Sequence, residues 1–172
     1  MVHTRTHGAV VAVLLGAAMM LSACGGSSAS RAGAGTGTST TVTASNSSEG
    51  FSTAIGALRH EIAAAGRDRC KLRRVLESLG RTGDPTTPAQ ARAAVDTVVG
   101  LYDQVASSLP ATASGAAQGW RDAAAVVRKA GADSHYDPKV LNQGAAFTLP
   151  ASFAAATQTF GDLTAKCPGI AK

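Results

Sequence analysis

From Phe51 onward, hydrophobic residues recur at steps of three and four positions, which is the spacing of one face of an α-helix. The first such series runs to Leu79 and is stopped by Gly80. Gly66 lies inside it, and a glycine in a helix interior costs about 1 kcal/mol relative to alanine. The pattern therefore predicts either one long helix or two helices that separate near Gly66. The apolar positions of the series are Phe51, Ile55, Leu58, Ile62, Ala65, Leu72, Leu76 and Leu79.

The start of a second helix carries strong local signals. Thr87 is placed as the N-cap, Pro88 occupies the first helical position, and Gln90 completes a capping box. Pro110 ends the apolar series that follows. The inward positions of this predicted helix are Ala91, Val95, Val98, Tyr102, Val105 and Leu109.

A third helix is predicted from about Thr112 to Ala130, with Gly131 as its C-cap. Its inward positions are Ala113, Ala116, Trp120, Ala123 and Val127. Asp137 followed by Pro138 is a further helix-start signal. It predicts a short helix that runs through Val140, Leu141 and Phe147.

The last helix is predicted over Ala151 to Lys166 and is ended by Cys167-Pro168-Gly169. Its inward positions are Phe153, Ala156, Phe160 and Leu163. No segment combines two-residue alternation with β-branched enrichment, so a sheet is not expected. The predicted fold class is all-α, an antiparallel bundle of about four main helices over residues 51–172. Trp120 and the phenylalanines should supply most of its large apolar area.

The N-terminal part of the chain has the features of a secretion signal. Arg5 precedes an apolar run from Ala9 to Met20, which is shorter than the roughly 20 residues that span a membrane. Leu21-Ser22-Ala23-Cys24 then matches a lipobox. We expect residues 1–23 to be a signal peptide, cleaved before Cys24, whose sulfur receives the lipid. The alternative is an ordinary signal peptide in which Cys24 is incidental.

The residues that follow the lipobox form a Gly/Ser/Thr-rich tract up to Gly50. They have almost no apolar side chains to bury, so residues 24–50 are predicted to be a lipidated cysteine and a disordered linker. A coil of this composition spans about 25–30 Å. It would hold the folded domain clear of the lipid headgroups.

Two cysteines, Cys70 and Cys167, remain once Cys24 is acylated. An exported chain is in an oxidising compartment, so we predict a disulfide between them, with two free thiols as the alternative. On an unbroken first helix Cys70 points away from the core, and Cys167 must reach the helix flank. If the helix breaks near Gly66, Asp68 can cap a new helix with Cys70 in its first turn.

The charge of the chain is uneven. Removal of the signal leaves a net charge of +4, and the segment from Arg59 to Arg81 holds seven basic and three acidic residues. A stripe opposite the leucines of this segment is a candidate contact with anionic headgroups or an acidic partner. The alternative is a solvated face. Nucleic-acid binding is not expected, because no aromatic residues interleave with the basic ones. The stripe consists of Arg67, Lys71, Arg74 and Arg81.

Motifs of catalytic or metal chemistry are incomplete. His60-Glu61 would begin a zincin motif, but Ala64 stands where the second histidine is required. With His135 as the other histidine of the mature chain, no metal site is predicted. The chain has no G-x-S-x-G elbow and no P-loop. We predict no catalytic residues and no cofactor. Haem ligation remains an alternative for His60, His135, Tyr102 or Tyr136.

The chain resembles the small exported lipoproteins of actinobacteria, including mycobacteria. The likeness rests on the lipobox ending at Cys24, the linker, an alanine-rich helical domain, and the positions of Cys70 and Cys167. It implies location and a disulfide more than an activity.

These observations predict a lipoprotein, anchored at the outer face of the cytoplasmic membrane through Cys24. It would act as a non-enzymatic interaction or accessory module toward an envelope protein or lipid. A lipid or haem carrier that holds its ligand between helices is the alternative. An enzyme would need a cleft that gathers His60 or His135 with carboxylates.

Overall fold

The structure is a computed structural model that describes residues 48–142 and 147–168. The predicted signal peptide, Cys24 and the linker up to residue 47 lie outside these residues. The described part is all-α and contains no strand, which confirms the predicted fold class. None of its helices combines the length and apolar character needed to cross a membrane. The helices are α1 (Ser48–Ala65), α2 (Arg69–Leu79), α3 (Pro88–Ser108), α4 (Ser114–Asp133), α5 (Pro138–Leu141) and α6 (Ala151–Thr164), with a 3₁₀ turn at Ala111–Ala113.

The bundle is built around α3 and α4, which pack against each other along their length. Helix α6 covers the other side of α4, and α1 and α2 pack on α3. Short connections join α1 to α2 and α3 to α4, so the members of each pair run antiparallel. Helix α1 begins at Ser48, three residues inside the predicted linker.

The first apolar series forms two helices, so the prediction of two helices that separate near Gly66 is correct. Helix α1 ends at Ala65, and Gly66 takes a left-handed φ of 53° that glycine adopts without strain. The Asp68 carboxylate accepts hydrogen bonds from the backbone N–H groups of Cys70 (2.9 Å) and Lys71 (3.1 Å). Asp68 is therefore the N-cap of α2, and Cys70 lies in its first turn.

This break brings the two cysteines together. Cys70 and Cys167 form a disulfide with their Cα atoms 5.5 Å apart, although they are separated by 97 positions in the sequence. The bond joins the first turn of α2 to the segment that follows α6. It is the pairing that the sequence predicted.

The capping box at the start of α3 is confirmed. The Thr87 hydroxyl accepts from the Gln90 backbone N–H at 3.3 Å, and the Gln90 side chain accepts from the Thr87 backbone N–H at 3.3 Å. The Asp137 cap is also confirmed, since its carboxylate accepts from the Lys139 N–H at 2.9 Å. The helix it starts is shorter than predicted, because α5 ends at Leu141 and Phe147 packs on the core from outside the helix.

The role predicted for Gly131 is wrong. Gly131 is not a C-cap, because α4 continues to Asp133. It is needed for close packing instead: a Cβ at Gly131 would lie 2.9 Å from Tyr136 Cε1 and 3.0 Å from Val95 Cγ1.

The inward face of α6 also differs from the prediction at its C-terminal end. Leu163 is 40% exposed, whereas Thr164 is 1% exposed and donates a hydrogen bond to the Phe160 carbonyl at 2.8 Å. At 100° per residue, Thr164 falls nearly in line with Phe153 and Phe160, and Leu163 falls on the flank. The helix ends at Thr164, two residues before the predicted boundary.

The core contains a group of aromatic rings around Trp120. The ring centroids of Tyr102, Phe153 and Phe160 lie 5.0, 4.9 and 5.8 Å from it. All four side chains are buried. Burial raises the pKa of the Tyr102 phenol well above its ordinary value, so this group stays neutral inside the bundle.

Candidate functional site

An apolar cavity of about 150 Å³ lies at one end of the bundle. The hairpin of α1 and α2 explains its position: Phe51 and Ile55 come from the start of α1, and Leu76 and Leu79 come from the end of the antiparallel α2. The remaining walls come from the segment between α2 and α3, from α3, α4 and α5, and from the segment before α6. Other apolar side chains that line it are Ala91, Ala94, Val95, Val98, Val127, Leu141 and Phe147.

The polar side chains that border the cavity already have partners. The Thr82 hydroxyl donates to the Leu79 carbonyl at 2.9 Å, and the Asn142 amide donates to the Pro85 carbonyl at 3.2 Å. The Glu77 carboxylate accepts from Arg73 Nε at 2.8 Å in an ion pair. Because these groups are paired with their neighbours, the site suits an apolar ligand better than a polar one.

The predicted basic stripe is placed on more than one element. Because the helix breaks, Arg67 lies in the turn before α2, and Arg81 lies beyond its end. Lys71 and Arg74 remain on α2, and all four side chains are exposed. At 100° per residue, Arg74 lies opposite Leu72, Leu76 and Leu79 on α2. Lys71 lies on the flank of this buried face, one turn before the buried Val75. The stripe therefore lies opposite the leucines at Arg74 and on their flank at Lys71, while Arg67 and Arg81 lie outside the helix.

A neighbouring arginine has a structural role. Arg59 Nε donates to Thr97 Oγ1 at 2.8 Å, and its Nη2 donates to the Ala93 carbonyl at 3.0 Å. These bonds join α1 to α3. Part of the basic excess that the sequence concentrates between residues 59 and 81 is thus used in packing.

The four residues considered as haem ligands are not brought together. His60 and His135 are exposed, and Tyr102 is enclosed by the aromatic core. The ring of Tyr136 lies 5.1 Å from the Arg92 guanidinium carbon, which is a cation–π contact. None of the four lines the cavity. Within residues 48–142 and 147–168, no group of three or more His, Cys, Asp or Glu side chains has a metal-binding arrangement.

The sequence does not reveal the cavity. Its walls are the same apolar positions that predict the helices, and no residue type or spacing distinguishes them from other core positions. The only sequence signal near it is a run with two glycines and a proline between α2 and α3, Gly80 to Pro85, from which Gly80, Thr82, Gly83 and Pro85 contribute to the wall.

Comparison with protein-family models, with curated proteins and with solved structures found no match to this chain.

Proposed function

We propose that this chain is a lipoprotein, anchored at the outer face of the cytoplasmic membrane, whose helical domain acts as a non-enzymatic interaction module. The single observation that carries the proposal is the lipobox Leu21-Ser22-Ala23-Cys24 at the end of the apolar run. The resemblance to small actinobacterial exported lipoproteins supports the same location. The paired cysteines Cys70 and Cys167 agree with an oxidising compartment.

The anchor follows from the chemistry of Cys24. A diacylglyceryl group on its sulfur inserts two hydrocarbon chains, and each buried methylene contributes about 0.8 kcal/mol. Two chains hold a protein stably where one holds it marginally. The linker would then present the domain, which begins at Ser48, near the membrane surface.

Replacing Cys24 by serine tests this anchor. In the native host, the parent protein is expected to start at Cys24, to incorporate labelled palmitate and to sediment with membranes. Cys24→Ser should lose the label and the membrane association, because no sulfur is available to acylate. Ser27→Ala, three residues further on, is the control and should behave as the parent. A parent protein whose first mature residue is not an acylated Cys24 would contradict the proposal.

The exposed basic residues offer a contact surface for anionic headgroups or an acidic partner. Helix α2 has 11 residues, which corresponds to a length of about 16 Å. Lys71 and Arg74 lie along it, with Arg67 before its start and Arg81 after its end. Neither Lys71 nor Arg74 forms an ion pair with a residue that the structure describes. Their charges are therefore available to a partner.

Removing these two charges should weaken binding to anionic vesicles. Each basic residue near such a surface contributes about 1 kcal/mol, so Lys71→Gln/Arg74→Gln should reduce affinity by up to about 30-fold. The measurement is co-sedimentation of the non-acylated Cys24→Ser protein with phosphatidylglycerol vesicles at low and physiological salt, since salt screens such contacts.

A charge-matched variant provides the control for this measurement. Lys129→Gln/Lys139→Gln removes two exposed basic residues on α4 and α5 and should leave vesicle affinity within about threefold of the parent. Equal weakening by both double variants would show that only net charge matters. That result would contradict a specific role for Lys71 and Arg74.

A lipid-binding role is the second candidate function, and the apolar cavity favours it. A cavity of about 150 Å³ accepts a group of about the size of benzene, which is far smaller than a porphyrin. A haem ligand is also missing among the side chains that line it. The cavity therefore supports the lipid form of the carrier hypothesis more than the haem form.

A further inference from the structure

We propose that the cavity between α1, α2 and α3 is a binding site for the end of one hydrocarbon chain of a membrane lipid. The apolar nature of the ligand is argued from the cavity itself. The assignment of the membrane as its source rests on the proposed anchoring of the protein at Cys24.

The cavity has the size and lining for an apolar group and for little else. Dry cavities of about 150 Å³ that are lined by aliphatic and aromatic side chains bind apolar molecules such as benzene. Here the wall includes Phe51, Ile55, Leu79, Val98 and Leu141. The volume accommodates part of one chain, so the site does not enclose a whole lipid.

The polar atoms at the edge of the cavity do not call for a polar ligand. Thr82 and Asn142 donate to backbone carbonyls, and Glu77 is paired with Arg73. Each of these groups already makes a bond within the protein, and the rest of the wall is largely apolar, so a hydrocarbon chain, which has no polar groups to satisfy, suits the site better than a polar ligand.

The position of the cavity indicates where such a chain would come from. Phe51 is one turn from Ser48, where the described domain begins, so the linker from Cys24 joins the domain at the cavity end of the bundle. Arg81, an exposed residue of the proposed anionic-surface contact, lies between two cavity residues, Gly80 and Thr82. The linker therefore brings this end of the bundle near the membrane, and Arg81 places it at one end of the proposed contact surface. Hydrocarbon chains are the abundant apolar groups of a membrane.

A chain that enters from the bilayer leaves one apolar environment for another. The site would therefore orient the domain on the membrane and add little to the strength of anchoring. This orienting role differs from that of a carrier, which must extract the whole lipid into its interior.

The first test uses the mature Cys24→Ser protein, which cannot be acylated, and sodium octanoate below its micelle concentration. Methyl NMR signals of Ile55, Leu79 and Leu141 should shift saturably, while those of Leu101 and Val105, which are buried away from the cavity, should not. Affinity should rise about fourfold per methylene from butanoate upward until the cavity is full, and then level off. Absent shifts, or equal shifts at both sets of methyls, would overturn the proposal.

A cavity-filling variant supplies an independent measurement. Ala94 lines the cavity and is half-buried, so Ala94→Leu should weaken octanoate binding at least tenfold. Ala89→Leu is the matched control on the same helix, at an exposed position away from the cavity, and should bind within twofold of the parent. Unchanged binding by a folded Ala94→Leu protein would overturn the proposal. If this variant does not fold, the octanoate-induced methyl shifts of the parent protein test the proposal instead.

The source of the bound hydrocarbon chain is tested with the acylated protein in nanodiscs. The nanodiscs contain phosphatidylglycerol that carries a spin label near the end of one acyl chain. Broadening of the Ile55, Leu79 and Leu141 signals is expected. Shifted but unbroadened signals would show that the protein's own anchor occupies the cavity, and binding of benzene without octanoate would assign it to an aromatic ring. Either result would overturn the assignment to a membrane lipid. The mass of the residue at Cys24 shows separately whether the protein was acylated.

Discussion

Replacing Cys70 and Cys167 together by alanine is expected to lower the free energy of unfolding by about 2–5 kcal/mol. The bond closes a loop with a sequence separation of 97, and the chain-entropy argument gives up to about 4.7 kcal/mol for a loop of about 100 residues. Few other contacts join α2 to α6, so the bond is the main connection between them. Urea denaturation followed by circular dichroism would measure the loss.

Reductant provides the control for this prediction. Dithiothreitol should destabilise the parent to about the level of the double variant and should leave the variant unchanged, because the variant has no bond to reduce. Equal urea midpoints for the oxidised parent and the double variant would show that the cross-link contributes nothing to stability.

Replacing Gly119 by alanine is expected to destabilise the domain by about 1–3 kcal/mol, which corresponds to a fall in Tm of about 4–12 °C. Gly119 lies where α4 crosses α6. A Cβ there would lie 2.7 Å from the Ser152 carbonyl oxygen and 2.8 Å from the Ala156 Cβ. The nearest of these atoms belongs to the backbone, so a rotamer change cannot relieve the contact and the two helices must move apart.

Gly115→Ala is the matched control, one turn earlier on the same helix. A Cβ at Gly115 meets no atom within 4 Å, so alanine should be neutral or stabilising by up to about 1 kcal/mol through helix propensity. Thermal melts of the two variants beside the parent would measure the difference. If Gly119→Ala melts at or above the temperature of Gly115→Ala, the close approach of α4 and α6 is not a constraint.

Much of the fold could be predicted from the sequence, because the signals are local. The capping box at Thr87 and Gln90 lies within one turn of backbone, and the structure forms both of its hydrogen bonds. The two alternatives for the first apolar series were also set by local features, namely a glycine at position 66 and a capping aspartate at position 68. In the structure, the break at Gly66 also contacts α3. The Gln104 amide of α3 donates to the carbonyls of Ile62 and Gly66 at 3.0 and 2.7 Å.

The two errors have different causes, a distant neighbour at Gly131 and the helical spacing of α6 at Leu163. Glycine is the residue type typical of a helix C-terminus, but Gly131 lies against Tyr136 and Val95 inside a longer helix. Leu163 is the more apolar side chain at the end of α6, yet Thr164 is the one that faces the core. Helical spacing from Phe153 and Phe160 already places Thr164 on the inward face, so this error came from giving the larger apolar side chain more weight than the spacing.

The candidate sites likewise have some features that the sequence determines and others that only the tertiary structure decides. The sequence alone determines the positions of Cys24, Cys70 and Cys167, the basic excess between residues 59 and 81, and the apolar periodicity that predicts the helices. These follow from residue types and from spacings within a few turns. Tertiary structure alone decides that α4 and α6 meet at Gly119, that the basic residues fall on three elements, and that apolar side chains from distant segments enclose a cavity. The physical reason is that periodicity and capping act over a few residues of chain, whereas close approach and enclosed volume depend on how separate helices pack together.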